Sequence, residues 1–384
     1  MFVVLKNLAN FLIYLIIDFL VCLKKIPTRS NTLLLIRLDS IGDYVLFRNF
    51  IEIVKLNEAY RNYKITLCGN IVWKNLAETF DSPFIDEFIW IDRKKFYGNI
   101  LYKYRTLKKI HDAGFQTVID PTYTREILYG DSIVKTSCAI EKIGCTASLD
   151  KHAKWKRNLL SDDYYTTLLT SSTKNLFEFY RNKEFFENLF QQKLEIQKPY
   201  FDTKIIKLEK VTPDKYVVIV PGAQDKKRIW DANNFISIAE YIIREFDFNI
   251  LITGSQSESE IARQISFNLN PSKVHDLTGK ISLSSLVKYI EDAQLVISNE
   301  TSSVHISAAV NTPLVCISNG NHLGRFNPHP QEIFANAFYI YPPQINKELH
   351  NFDYEENKFR FNSELDINDI TPAEVINEIK QIIK

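Results

Sequence analysis

The 384-residue chain predicts an α/β protein of two doubly wound, Rossmann-like domains that face each other across a cleft. Short runs of branched apolar residues alternate with amphipathic stretches twice over, from residue 32 to 135 and again from 216 to 315, and such alternation builds a parallel sheet covered on both faces. The length exceeds the ~250–300 residues that one core usually serves, so two cores are expected. Between the two series, from about 150 to 201, the rhythm gives way to an aromatic, charged stretch with one helix over 174–191, which reads as the close of the first domain and a linker. The expected organisation is an amino-terminal helix with a basic collar over 1–30, a first domain over 31–205 and a second over 206–384, whose last helix either stays with it or packs back on the first.

The opening stretch 2–23 is mostly apolar, yet Lys6, Asn10, Tyr14 and Asp18 recur every four residues and form a polar stripe on a helix, followed by Lys24, Lys25 and Arg29. Its apolar core is shorter than the ~20 residues of a spanning helix, and Asp18 interrupts it. The reading is an in-plane helix on a membrane surface, its collar against anionic headgroups, with packing on the protein's own body as the alternative. No small-x-small cleavage pattern follows, which argues against an export signal and for the cytoplasmic face of the cell membrane.

The first series then runs as strand 32–38, a turn at Asp39, Ser40, Ile41, Gly42 and Asp43, helix 44–56, strand 64–68, a helix around Trp73, strand 88–91, helix 99–111, strand 115–119 and helix 125–135. The second runs as strand 216–220, helix 233–245, strand 249–253, helices 258–267 and 283–292, and strands around Val296 and Val315. Thr371, Pro372 and Glu374 open the last helix with a capping box and a proline at its first position. Neither series carries G-x-G-x-x-G, so the usual dinucleotide fingerprint is missing.

Lys plus Arg total 47 against 46 Asp plus Glu, a net charge of +1, which lacks the cationic field of a nucleic-acid binder and excludes nucleic acid as the expected partner. Five cysteines with no C-x-x-C spacing argue against a zinc site or a disulfide framework, and they read as buried free thiols in a reducing compartment. No D-x-D and no clustered His, Asp or Glu suggests a divalent metal, so no metal and no cofactor are expected.

Ligands of doubly wound domains gather at the carboxyl ends of the strands, and the candidates are sought there. At 298–309 an apolar strand runs into hydroxyls and then a small-residue helix. Thr301, Ser302 and Ser303 thus sit where first-turn N–H groups and the helix dipole favour a phosphate, with Glu300 placed to accept ribose hydroxyls; the alternative makes Thr301 and Ser302 simple N-caps. His305 either reaches the cleft or backs this loop. Gly222 and Ala223 let backbone approach a ligand, while Lys226, Lys227 and Arg228 can neutralise a departing pyrophosphate. Gly254 lies on the next strand-end loop, facing ribose or base, and the polar loop 319–326 closes on either substrate. In the first domain Gly42 permits a tight turn, and Asp39, Ser40 and Asp43 surround a helix start, where a carboxylate acts either as a general base toward a hydroxyl or as an N-cap. Arg93, Lys94, Lys95, Lys103, Arg105, Lys108 and Lys109 make this domain locally basic, which suits an anionic acceptor or a plain solvated helix face.

Four blocks in order resemble glycosyltransferase family 9, the heptosyltransferases of lipopolysaccharide assembly: 35–43 around Asp43, 221–230 from Pro221 to Trp230, 276–283 from Asp276 to Leu283, and 299–305 from Asn299 to His305. The resemblance extends from about 32 to 326. It implies a GT-B fold, with a lipid-linked glycan acceptor on the first domain, a nucleotide sugar on the second, and inversion at the anomeric carbon without metal. It also implies that Asp43 is the base, Arg228 the cation on the diphosphate, and 300–302 the nucleotide loop. Where family members commonly carry Asp, Gly and Lys, this chain has Glu300, Ser302 and Arg228, so ADP and heptose are the family default rather than a demand of these residues. Competing readings are a GT-B transferase or epimerase for another nucleotide sugar, and a catalytically silent, membrane-attached nucleotide-binding scaffold.

Overall fold

The computed structural model describes residues 2–146, 157–208, 213–345, 349, 358–359 and 361–383, with side chains from residue 11 onward, so Lys6 and Asn10 of the expected stripe lie outside the described side chains. The chain divides into two compact units, 1–173 with 180–195 and 174–179 with 196–384. The division falls near 195 instead of 205, and 174–179 joins the second unit because of its contacts there. Asn175 Nδ2 donates to Leu323 O at 3.0 Å, Glu178 N to Arg325 O at 2.8 Å, and Arg325 Nε lies 2.9 Å from the buried Glu178 carboxylate. The loop 319–326, expected to close on a substrate, is thus tied to this stretch.

In the first unit α1 (Phe2–Cys22) precedes β1 (Arg29–Arg37), α2 (Ile41–Phe47), α3 (Asn49–Leu56), β2 (Lys64–Asn70), α4 (Lys74–Phe80), β3 (Glu87–Ile91), α5 (Arg93–Gly98), α6 (Ile100–Ala113), β4 (Phe115–Ile119), α7 (Gly130–Ser137), β5 (Glu141–Cys145), β6 (Thr167–Leu169) and α8 (Glu178–Phe190). The six strands are parallel in the order β3-β2-β1-β4-β5-β6, with Leu35 paired to Leu67 on one side and Ile119 on the other. Leu33 to Ile36 are fully buried, as a strand covered on both faces requires.

The second unit repeats the plan with β7 (Tyr216–Val220), α9 (Ala232–Phe246), β8 (Asn249–Ile252), α10 (Ser259–Phe267), β9 (Val274–Asp276), α11 (Leu283–Glu291), β10 (Leu295–Asn299), α12 (Ser302–Val310), β11 (Leu314–Ile317), β12 (Ala337–Ile340) and α13 (Pro372–Ile382). Its parallel order is β12-β11-β10-β7-β8-β9. In each sheet the chain therefore reverses direction between two central strands, β1 and β4 or β7 and β10, and opens a crevice at their carboxyl ends. The last helix stays in this unit: Val375 and Ile379 enter the same core as Phe235 and Ile242 of α9, and Trp230 Nε1 donates to Ile370 O at 2.9 Å just before it.

The first helix is not separate from the first unit. Tyr14, Ile17, Asp18 and Val21 face inward and join its core, so the described half of the polar stripe is the face turned to the protein. Asp18 accepts from Ser132 Oγ at 2.7 Å, and Lys103 lies beneath, its Nζ donating to Leu128 O at 2.7 Å and sitting 4.7 Å from the centre of the Tyr14 ring. Burial lowers the Lys103 ammonium to about 8, with Asp18 opposing the shift. Lys103 is therefore a buried partner of α1 and not a side chain presented to an acceptor. Leu12, Ile16, Phe19, Leu20 and Leu23 are left on the outer face with about half or more of their surface exposed. Among the described residues no helix is long and apolar enough to cross a membrane.

Candidate functional site

In the first unit the β1 to α2 turn lies at the reversal point and is held rigidly. Asn70 Nδ2 donates to Leu38 O and Asp39 O, both at 3.2 Å, Trp73 Nε1 to Asp39 O at 3.1 Å, and Arg93 to Leu38 O at 3.3 Å. Ser40 occupies the N-cap without a side-chain capping bond, and Asp43 stands in the first turn of α2, so Asp43 is not the cap. Arg37, to which the sequence reading gave no role, is buried behind both carboxylates: Nε is 3.0 Å from Asp39 and Nη2 3.9 Å from Asp43, while Nη1 donates to Asn182 Oδ1 at 3.1 Å. The guanidinium and the helix N-terminus together favour negative charge here. Asp43 keeps 18% of its side-chain surface exposed, enough to meet a substrate hydroxyl.

Beside this turn, Asp39, Asp120, Thr122, Thr124, Glu126, Tyr129 and Gly130 line a small recess at the ends of β1 and β4. Arg93 Nη2 donates to both oxygens of Glu126 in this lining, at 2.7 and 3.0 Å. Arg105 is exposed in the body of the crossover helix α6, away from the strand ends. Asp120 is buried, accepts from Thr122 N at 3.1 Å, and presses so closely on residue 130 that a Cβ there would lie 2.4 Å from its carboxylate. Burial raises the Asp120 carboxyl to about 7, with Asp131 and Asp39 adding to the shift. The native chain then holds this proton to a higher pH than the unfolded chain, so between about pH 4 and 7 the stability contributed by Asp120 falls as pH rises. Asp120→Asn is expected to flatten that fall by a few kcal/mol, measured as the difference in unfolding free energy from the parent across the window; parallel curves would refute it.

In the second unit β10 ends at Asn299, whose side chain donates to Pro221 O at 2.6 Å and accepts from Trp230 N at 3.4 Å, binding the turn after β7 to the turn before α12. Glu300 follows, buried, accepting from Ser318 Oγ at 2.6 Å and lying 3.7 Å from Arg228 Nη1. Burial raises its carboxyl, while Arg228 and Ser318 oppose the rise. Glu300 thus holds Arg228 in place, and its burial leaves little surface for ribose hydroxyls. Arg228 keeps 20% of its side chain exposed, and its buried Nε has no hydrogen-bond partner among the described residues. Such an orphan donor at a strand-end crevice suits an anion. Lys227 is turned to the surface, paired with Glu364.

Thr301 is the N-cap of α12, its hydroxyl accepting from Ser303 N at 3.3 Å; Ser302 is half-buried, and Ser303 is buried. His305 is buried behind the loop, where Nδ1 meets His329 Nε2 at 3.1 Å and His329 Nδ1 meets the Tyr339 hydroxyl at 2.5 Å. Burial lowers His305 to about 4, so it stands behind the loop as a neutral ring. The sequence reading also missed Glu258. A Cβ at Gly222 would lie 1.7 Å from its carboxylate, and one at Gly254 2.9 Å, so both glycines make room for this side chain. Ala223 is half-buried on the same turn. Among the described residues no group of three His, Cys, Asp or Glu is placed to hold a metal.

Residues 135–347, more than half of the chain, match the sequence model described as "Glycosyltransferase family 9 (heptosyltransferase)". Arg228, Glu258 and Glu300 lie inside that match, whereas the resembling block around Asp43 lies outside it. The "Lipopolysaccharide heptosyltransferase 3" of Escherichia coli is 30% identical over 104 residues, a match that takes in 27% of this chain and 30% of that protein. Among solved structures, a glycosyl transferase family 9 protein from Veillonella parvula superposes with a TM-score of 0.69 at 16% identity, covering 94% of this chain and 99% of that one. The E. coli heptosyltransferase WaaC, solved with ADP-2-deoxy-2-fluoro heptose, gives 0.67 at 14% identity over 91% and 99%. At such identities the likeness shows the fold, and the fold is GT-B.

Proposed function

The chain belongs to glycosyltransferase family 9, and on that premise we propose that it moves a sugar from a nucleoside diphosphate to a lipid-linked glycan, inverting the anomeric carbon without metal. The observation that carries this reading is Arg228, a cation with a buried orphan Nε held by Glu300 at the reversal point of the second sheet. A leaving diphosphate satisfies that donor, and the forked guanidinium grips two oxygens where a lysine offers a point charge. Asp43, fixed by Arg37, takes the proton of the acceptor hydroxyl as that oxygen bonds to the anomeric carbon and the bond to the diphosphate breaks. Glu258, close over Gly222, replaces Glu300 as the acceptor of ribose hydroxyls.

The family's relatives act on lipopolysaccharide, and we take ADP-heptose and a lipopolysaccharide core as the first pair to test. The outward apolar face of α1, followed by exposed Lys24 and Lys25, supports peripheral attachment at the cytoplasmic face of the membrane. Flotation with anionic vesicles is expected to carry the parent protein and to lose Phe19→Asp together with Leu23→Asp; equal flotation would remove α1 from the account.

Calorimetric titration with ADP, UDP, GDP and CMP, without metal, tests the donor site. Selective ADP binding, weakened roughly 10-fold or more by Glu258→Gln, is the expected result, since a charged hydrogen bond contributes ~1.5–3 kcal/mol. Preference for another nucleotide would keep the transferase and discard heptose. Binding of none of them would overturn the donor site, whereas nucleotide binding without any sugar transfer would favour the silent scaffold.

A further inference from the structure

We propose that Cys22 and Cys138 form a thiol pair that closes to an intramolecular disulfide on oxidation, fastening the carboxyl end of α1 to the end of α7. Their sulfurs are 3.4 Å apart, and each also approaches Lys135 O, at 3.9 and 3.7 Å. A disulfide needs ~2.05 Å, so a shift of little more than 1 Å, within the reach of side-chain rotation, brings them to bonding distance. The expectation of five buried thiols therefore holds for Cys68, Cys145 and Cys316 and fails for this pair, because Cys22 is half-buried and Cys138 exposed. A soluble oxidant meets these two first.

The surroundings suit the chemistry. Cys138 occupies the left-handed turn that ends α7, at φ 51°, and its thiol shares a hydrogen bond with that of Cys22. That bond, with His111 and Lys142 adding to it against partial burial, holds the Cys138 thiol down at about 6. Cys138 is then the attacking thiolate and Cys22 the resolving thiol. With glutathione disulfide as oxidant, the Cys138 thiolate bonds to one glutathione sulfur and expels the other as a thiolate. Cys22, losing its proton, then attacks the Cys138 sulfur and expels the second glutathione. Two protein thiols are oxidised and one glutathione disulfide is reduced, with no other reactant. In a reducing compartment such a bond is transient and serves sensing, not framework.

What the bond secures is the seat of α1. That seat rests on Tyr14, Ile17, Asp18 and Val21, and just beyond Cys22 on the His111 ring, whose nitrogens face Thr136 O at 3.0 Å and Lys24 O at 2.6 Å. The disulfide spans 116 positions of sequence and constrains the unfolded chain accordingly. The proposal is independent of the sugar-transfer reading, since its readouts are mass and stability.

The test treats the full-length protein with glutathione disulfide and follows intact mass and non-reducing peptide maps. The parent is expected to lose two hydrogens, to yield one joined peptide pair holding Cys22 and Cys138, and to unfold several degrees higher, all reversed by dithiothreitol. Cys22→Ser is expected to stop at a glutathione adduct on Cys138. A lasting adduct on the parent, a link between two molecules, or unaltered thiols would each overturn the proposal.

Discussion

Asp43→Asn is expected to lower sugar transfer by roughly 10²–10⁴-fold while nucleotide affinity stays within a factor of two or so, the range that removal of a positioned general base commonly produces. The substitution keeps the shape of the side chain, and Ser40, not Asp43, occupies the N-cap of α2. What it removes is the ability to accept a proton. Asp39 is the natural control: it shares Arg37, at 3.0 Å, but precedes the helix, and its backbone carbonyl is already pinned by Asn70 and Trp73. Asp39→Asn is therefore expected to cost far less. Transfer assayed with saturating donor, beside calorimetric nucleotide titration of each variant, separates a base from a residue that only shapes the loop. Activity of Asp43→Asn within 10-fold of the parent would sink the assignment.

The sheet frames were legible because their central strands are unbroken apolar runs. Strands β1, β4, β7 and β10 announce themselves by branched residues buried on both faces. The outer strands β5, β6, β9 and β12 escaped the reading: Val274, His275 and Asp276 form only one short edge, and Glu141 and Lys142 start β5 with charges. Register against a neighbour, which periodicity cannot report, makes them strands. The stripe on α1 shows the same limit more sharply. Its period was plain, but which face met the protein depended on Ser132 and Lys103, more than 80 positions away. Arg37, Asp120 and Glu258 were invisible as site residues because each is defined in part by groups far along the chain, Asn182 for Arg37, Asp39 for Asp120 and Gly222 for Glu258. Glu300 and Arg228 were read as two separate ligand contacts and are in fact one pair.

That pairing makes Arg228→Ala the more revealing of the donor-site substitutions. Transfer is expected to fall about 10²–10³-fold, the usual cost of losing one preorganised group that stabilises departing charge, with weaker binding of the nucleoside diphosphate. A second effect concerns the fold. Arg228 is the cation that opposes the burial-driven rise of the Glu300 carboxyl, so its removal leaves that carboxylate buried with the Ser318 and Asn327 side chains as its donors and raises the carboxyl further. A carboxyl whose native pKa lies above its unfolded value costs stability as pH climbs from the unfolded pKa toward the native one, and the cost is complete above it. The variant is therefore expected to be destabilised by about 1–3 kcal/mol near neutral pH and to approach the parent as pH falls, because protonating Glu300 removes the buried charge that Arg228 opposes. Arg228→Lys keeps the charge, so it should restore most of the stability and only part of the transfer. Unfolding midpoints at about pH 5 and pH 8, measured beside nucleotide binding, decide the matter. A deficit that is the same at both pH values would mean that Arg228 and Glu300 do not act on each other, and unchanged nucleotide binding would remove Arg228 from the diphosphate.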